Sequence, residues 1–94
     1  MATARVHLII HGRVQGVAFR YSAEDQANRI GIGGWVRNLH NGTVEIIAEG
    51  QRSELEELIK WCGHGPSLAR VTDVEIEWLE PTNEFERFYS ARTQ

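Results

Sequence analysis

Cysteine is almost missing from this sequence. Cys62 is the only one, so no intrachain disulfide can form and the cysteine-based zinc patterns cannot be built. Long apolar runs are missing too: Val6 to Ile10 is broken by His7 and followed by a glycine loop, and nothing in the sequence is long enough to cross a membrane. A basic excess is absent, since 10 Lys and Arg stand against 13 Asp and Glu for a formal charge of -3, which argues against a general nucleic-acid binder. Neither Gly-x-Gly-x-x-Gly nor a Gly-Lys-Ser/Thr ending occurs, so the familiar dinucleotide and nucleoside-triphosphate loops are unsupported.

What remains is ordinary in bulk and specific in one place. With 94 residues, 41% apolar and 24% charged, the chain is expected to form one domain over 1–94 around a single core. Arg5, Arg13, Arg20, Arg29 and Arg37 weight the first half positive while acids crowd the second, which suits a local anionic site. The stretch Gly12-Arg-Val-Gln-Gly-Val-Ala-Phe-Arg20 lies between a strand-like and a helix-like run. Gly12 and Gly16 permit positive φ, so successive N–H groups can turn toward one point, and the following helix adds its unpaired N–H groups and the positive end of its dipole. Arg20 supplies a fork of donors matched to two oxyanion oxygens. A small tetrahedral oxyanion is the natural guest, although glycine spacing alone leaves open a turn that binds nothing.

The rest of the chain reads in order. Residues 5–11 alternate as a strand with Val6, Leu8 and Ile10 toward the core; His7 and His11 share the outer face, as surface residues rather than metal ligands. A helix over Arg20–Ile30 buries Ala23, Ala27 and Ile30, with Phe19 anchoring its start and Gly31 its left-handed cap. Residues 34–39 and 43–49 form two strands around His40-Asn41-Gly42, a hairpin signal. Val44, Ile46 and Ala48 face inward, while Thr43, Glu45, Ile47 and Glu49 face a side that needs no cover. Ser53 and Glu56 read as a capping box opening a second helix whose buried stripe is Leu55, Leu58, Ile59 and Cys62, which makes Cys62 a core residue rather than a nucleophile. Val71 to Leu79 is a strand with Val74, Ile76 and Trp78 inward and an acidic outer row of Asp73, Glu75 and Glu77; Phe85 to Ala91 forms a last, edge strand.

The order is βαββαβ with an additional C-terminal strand. It implies an α+β fold, a ferredoxin-like α/β sandwich with an antiparallel sheet and two helices on one face. In that arrangement Asn38 ends the strand after the first helix, where an inward amide reaches the mouth of the glycine loop and can orient a water; a plain turn residue is the other reading.

Gly12-x-Val14-Gln15-Gly16-Val17-x-Phe19-Arg20 followed by Gly31-x-x-Gly34-Trp35-Val36-x-Asn38 closely resembles the paired signatures of the small acylphosphatases. The likeness continues through Gly42, Val44-Glu45, Leu55, Leu58, Gly65-Pro66, Ala69 and Val71. His40-Asn41 and Ile32 depart from the common pattern, and the tail after Pro81 fits less cleanly. The resemblance implies hydrolysis of small-molecule acyl phosphates to a carboxylate and inorganic phosphate, with no metal or other cofactor. It implies that Arg20 grips phosphate, Asn38 orients the attacking water, and the backbone N–H groups of Gln15, Gly16, Val17, Ala18, Phe19 and Arg20 line the cradle. Inorganic phosphate is the expected product and inhibitor; no nucleic-acid or membrane partner is expected, and a cytoplasmic monomer is. The alternative from another class is a non-catalytic phosphate-sensing or anion-sensing regulatory module on the same fold. An RNA-binding sheet is disfavoured, because His7, Ile9, Thr43 and Glu45 offer no stacking platform.

Overall fold

Alternation and helical periodicity build the expected layers. In a computed structural model, which describes residues 3–94, the elements run β1 (Ala4–Arg13), α1 (Phe19–Ile30), β2 (Gly33–Asn38), β3 (Val44–Gly50), α2 (Arg52–Cys62), β4 (Arg70–Leu79) and β5 (Phe88–Ser90). The sheet order is β4-β1-β3-β2-β5. Val6, Leu8 and Ile10 of β1, Val36 of β2, and Val44, Ile46 and Ala48 of β3 form one buried face. Against it pack Ala23 and Ala27 of α1 and Leu55, Leu58 and Cys62 of α2, so both helices cover the same side. The α+β ferredoxin-like architecture is therefore present. No helix of the described residues is long and apolar enough to cross a membrane.

Five expectations need correction in detail. The sheet is mixed, because β5 runs parallel to β2, with Gly34 opposite Phe88 and Val36 opposite Ser90. After Leu79, opposite Arg5, the chain crosses the ends of β1 and β3 and comes up beside β2 in the same direction. This last strand spans only Phe88–Ser90, although Arg87 O just before it already accepts from Gly34 N–H of β2 at 3.1 Å. The outer face of β3 is not open either: Ile47 lies opposite Trp35, whose ring carries the Arg37 guanidinium at 4.5 Å, and both Ile47 and Glu49 are buried. Ile76 is 48% exposed, because β4 is an edge strand and α2 packs over β1 and β3. The helix cap lies earlier than the Ser53–Glu56 box: Gln51 is the N-cap, and its N–H donates to Glu54 Oε1 at 2.9 Å.

The two histidines of β1 are paired rather than merely solvated. His7 Nε2 meets Glu45 at 2.7 Å, Arg37 Nε reaches the same carboxylate at 2.7 Å, and His11 meets Glu75 of the acidic β4 row. The Asn41-Gly42 turn closes as a three-residue loop with Gly42 left-handed, Leu39 N–H donating to Thr43 O at 2.9 Å.

The crossing segment is tied down by one buried carboxylate. Glu49 accepts from Arg5 Nη1 at 2.6 Å, from the N–H groups of Thr82 and Asn83 at 2.8 Å each, and from Thr82 Oγ1 at 3.0 Å. Farther on, Asn28 of α1 brackets Phe88, accepting its N–H and donating to its carbonyl, each at 3.2 Å. Burial alone would raise the Glu49 pKa, but the donors from Thr82, Arg5 and Asn83 outweigh it and hold the carboxyl below its ordinary value.

Two predictions follow from this packing. Because the folded-state pKa of Glu49 is lowered, its stabilisation is complete above the unfolded-state value and is lost as pH falls through the folded one. Glu49→Gln should cost about 2 kcal/mol at neutral pH, the scale of a charge-assisted hydrogen bond. It should also flatten the acid limb of stability against pH in urea melts; an unchanged acid limb would contradict the assignment. Cys62 is fully buried, and burial pushes its thiol well above the usual value. Cys62→Ser, which places a hydroxyl there, should lower stability by about 1–3 kcal/mol in the same melts.

Candidate active site

The site begins where β1 stops. A bulge between His11 and Gly12 turns the end of β1 along β4, and a Cβ on Gly12 would come within 2.0 Å of the Arg70 carbonyl oxygen, so the approach requires glycine. The chain then turns through Gly16 at φ 74° and Ala18 at φ 62°. Left-handed backbone at an alanine costs about 1–2 kcal/mol. Ala18 is the N-cap of α1, and the first helical bond runs from Ser22 N–H to its carbonyl at 3.0 Å. Among the described residues, no protein acceptor takes the N–H groups from Gln15 to Tyr21. The result is a run of donors at the positive end of a helix dipole.

Phe19 fixes where that helix starts. It is buried, its ring centroid lies 5.3 Å from that of Trp61 on α2, and Gly65 leaves room for its edge. The next residue, Arg20, therefore leaves the core at a set angle. Among the described residues it forms no ion pair, and its side chain makes one hydrogen bond, a long 3.5 Å one from Nη1 to Ala91 O. An arginine without a carboxylate beside a row of open N–H groups is suited to an oxyanion.

These parts surround a cleft of about 330 Å³ lined by Val14, Gly16, Ala18, Phe19, Arg20, Tyr21, Glu24, Asn38 and Ser90. Asn38 comes from the opposite wall. It shares the inner face of β2 with Gly34 and Val36, and its own backbone is held by pairing with Val44 and by the Gln94 N–H at 3.0 Å. The cleft thus brings together Gly16, Ala18, Phe19, Arg20 and Asn38 of the residues expected from sequence. Gln15 and Val17 do not line it: Val17 is buried, and the Gln15 carboxamide turns toward the hairpin.

Three lining residues escaped the sequence reading. Glu24 follows Arg20 by one helical turn, a spacing that places both on one side of α1 and was open to inspection. Tyr21 is the next residue along and is 74% exposed. Ser90 arrives through the parallel pairing of β5, which carries no local signal.

Comparison with known proteins identifies the family. The family model described as Acylphosphatase matches residues 6–90. An acylphosphatase of Roseiflexus sp. (strain RS-1) is 51% identical over 90 residues, covering 96% of each chain. The crystal structure of the acylphosphatase from Bacillus subtilis superposes with a TM-score of 0.90 at 33% identity, covering 94% of this chain and 98% of that one. The acylphosphatase structure from Coxiella burnetii gives 0.89 at 34% identity, covering 95% and 93%. Nothing in these likenesses favours a non-catalytic anion-sensing module. With a family match across nearly its whole length and a relative half identical end to end, the chain belongs to the acylphosphatase family of hydrolases.

Proposed function

We propose that the cleft hydrolyses acyl phosphates by in-line attack of water on phosphorus, with Arg20 and the loop N–H groups holding the phosphoryl oxygens and Asn38 orienting the water. One observation carries this reading. The unpartnered N–H groups of Gly16, Ala18, Phe19, Arg20 and Tyr21 and the carboxylate-free Arg20 side chain line a cleft that Asn38 also lines.

The chemistry suits so small a set of groups. Water adds to phosphorus as the bond from phosphorus to the acyl oxygen breaks, and the electron pair leaves with a carboxylate. A carboxylate is stable when expelled, so no general acid is needed. The water's proton passes to a phosphoryl oxygen, and the products are a carboxylate and inorganic phosphate. Positioning and charge stabilisation then dominate the barrier. The Asn38 amide accepts from and donates to neighbours without acting as a base, which fits the placing of a water.

One chain supplies every group in this cleft, so a monomer suffices. The buried free thiol of Cys62 is at ease in a reducing compartment, in keeping with a cytoplasmic enzyme. Phosphate, sharing the grip of the transferred group, acts as a competitive inhibitor.

The test is hydrolysis of an aryl acyl phosphate by purified protein in the presence of a metal chelator. Turnover that survives chelation and is inhibited competitively by phosphate is expected. Arg20→Ala should weaken both substrate and phosphate binding, since a charge-assisted contact is worth about 1.5–3 kcal/mol; unchanged phosphate inhibition would sink the assignment. Asn38→Ala should slow kcat by about 10²–10³ while phosphate inhibition is largely kept, the scale of losing one preorganised donor. Equal losses of rate and phosphate binding would make Asn38 a phosphate ligand instead.

A further inference from the structure

The Gln15 side chain does something its backbone does not. A carboxamide nitrogen carries two hydrogens, and both are used: Gln15 Nε2 donates to Leu39 O at 2.7 Å and to Thr43 O at 2.8 Å. Each carbonyl already closes the hairpin turn, Leu39 O accepting from Gly42 N–H at 3.1 Å and Thr43 O from Leu39 N–H at 2.9 Å. Leu39 follows Asn38 in the chain, and Thr43 precedes Val44, the register partner of Asn38. The amide therefore grips both strand ends that flank Asn38. Among the described residues, no other hydrogen bond runs from loop residues 14–18 to residues 38–44.

We propose that Gln15 is a positioning residue whose carboxamide sets the distance between the anion loop and the Asn38 amide. The inference rests on the hydrolase reading given above. The two halves of the site are built on separate pieces of chain. Gly16, Ala18, the start of α1 and Arg20 form one continuous piece, so the anion grip is assembled without the hairpin. Asn38 stands on β2, and among the described residues the Gln15 amide is the one hydrogen-bonded link between loop residues 14–18 and the hairpin ends beside Asn38. Removing it leaves phosphate its ligands but lets the water-orienting group drift, and a misplacement of about 1 Å costs roughly 10²-fold in rate.

The experiment compares Gln15→Met, of similar length without donors, and Gln15→Glu, of the same shape with acceptors facing two carbonyls. Thermal melts with and without inorganic phosphate check that each variant is folded, and either variant alone carries the comparison if the other is not. The expected result is a fall in kcat of about ten- to a hundredfold, with phosphate inhibition changed less than about threefold. Gln15→Met combined with Asn38→Ala should be little slower than Asn38→Ala alone, because both remove the same function. Phosphate inhibition that weakens in step with kcat, or rate losses that multiply in the double variant, would overturn the proposal. A wild-type protein that binds phosphate without turnover would overturn the hydrolase reading and this role with it, and that outcome is seen before any substitution is made.

Discussion

Polar backbone groups without partners are costly, and this fold keeps a run of them open at one place. From Gln15 to Tyr21 the chain gives its N–H groups no protein acceptor, and it holds them there with two left-handed residues, one of them an alanine. Helix or sheet formation elsewhere would satisfy such donors locally; here the turn from β1 into α1 is too tight to fold back on itself. The sheet stops at Arg13, α1 starts at Phe19, and the donors lie in the gap and in the first turn of the helix. The cost is bearable because both flanks are anchored in the core, by Val14 and Val17 before the helix and by Phe19 against Trp61 at its start.

The remainder of the molecule serves to bring other walls to that gap. β3 lies between β1 and β2 and so places the strand that carries Asn38 two strands from β1. The far end of the sheet matters too. Glu49 captures Thr82 and Asn83, Asn28 captures Phe88, and the chain beyond Ser90 continues along β2, with Ala91 N–H on Val36 O at 2.7 Å and Gln94 N–H on Asn38 O at 3.0 Å. A carboxylate at one end of the sheet thereby orders the segment that completes the cleft at the other.

Much of this was legible in the sequence, for physical reasons that also explain what was not. Val6, Leu8 and Ile10 alternate because one face of β1 is covered, and Leu55, Leu58 and Cys62 recur at helical spacing for the same reason; such periodicity reports burial directly. Gly31 and Gly42 mark a cap and a turn because their left-handed backbone angles disfavour most other residues. Arg20 and Asn38 were legible through the motif, and the fold brings both to one cleft. Ile76 misled because alternation gives the side of the sheet but not whether a helix reaches over it. Glu49 looked solvated because its partners are more than 30 residues away, and the strand direction of β5 depends on that same distant contact. The Gln15 side chain was hidden behind its backbone, since only the assembled hairpin offers it two carbonyls.

The acidic row of β4 has a consequence beyond this single chain. β4 ends the sheet, so one side of its ten residues exposes the backbone groups that invite another strand. A second copy laid antiparallel on that edge would set Asp73, Glu75 and Glu77 against carboxylates of its own kind. Like charges directly opposite one another destabilise strand pairing. The row therefore guards the protein against edge-to-edge aggregation at the border where its sheet is least protected.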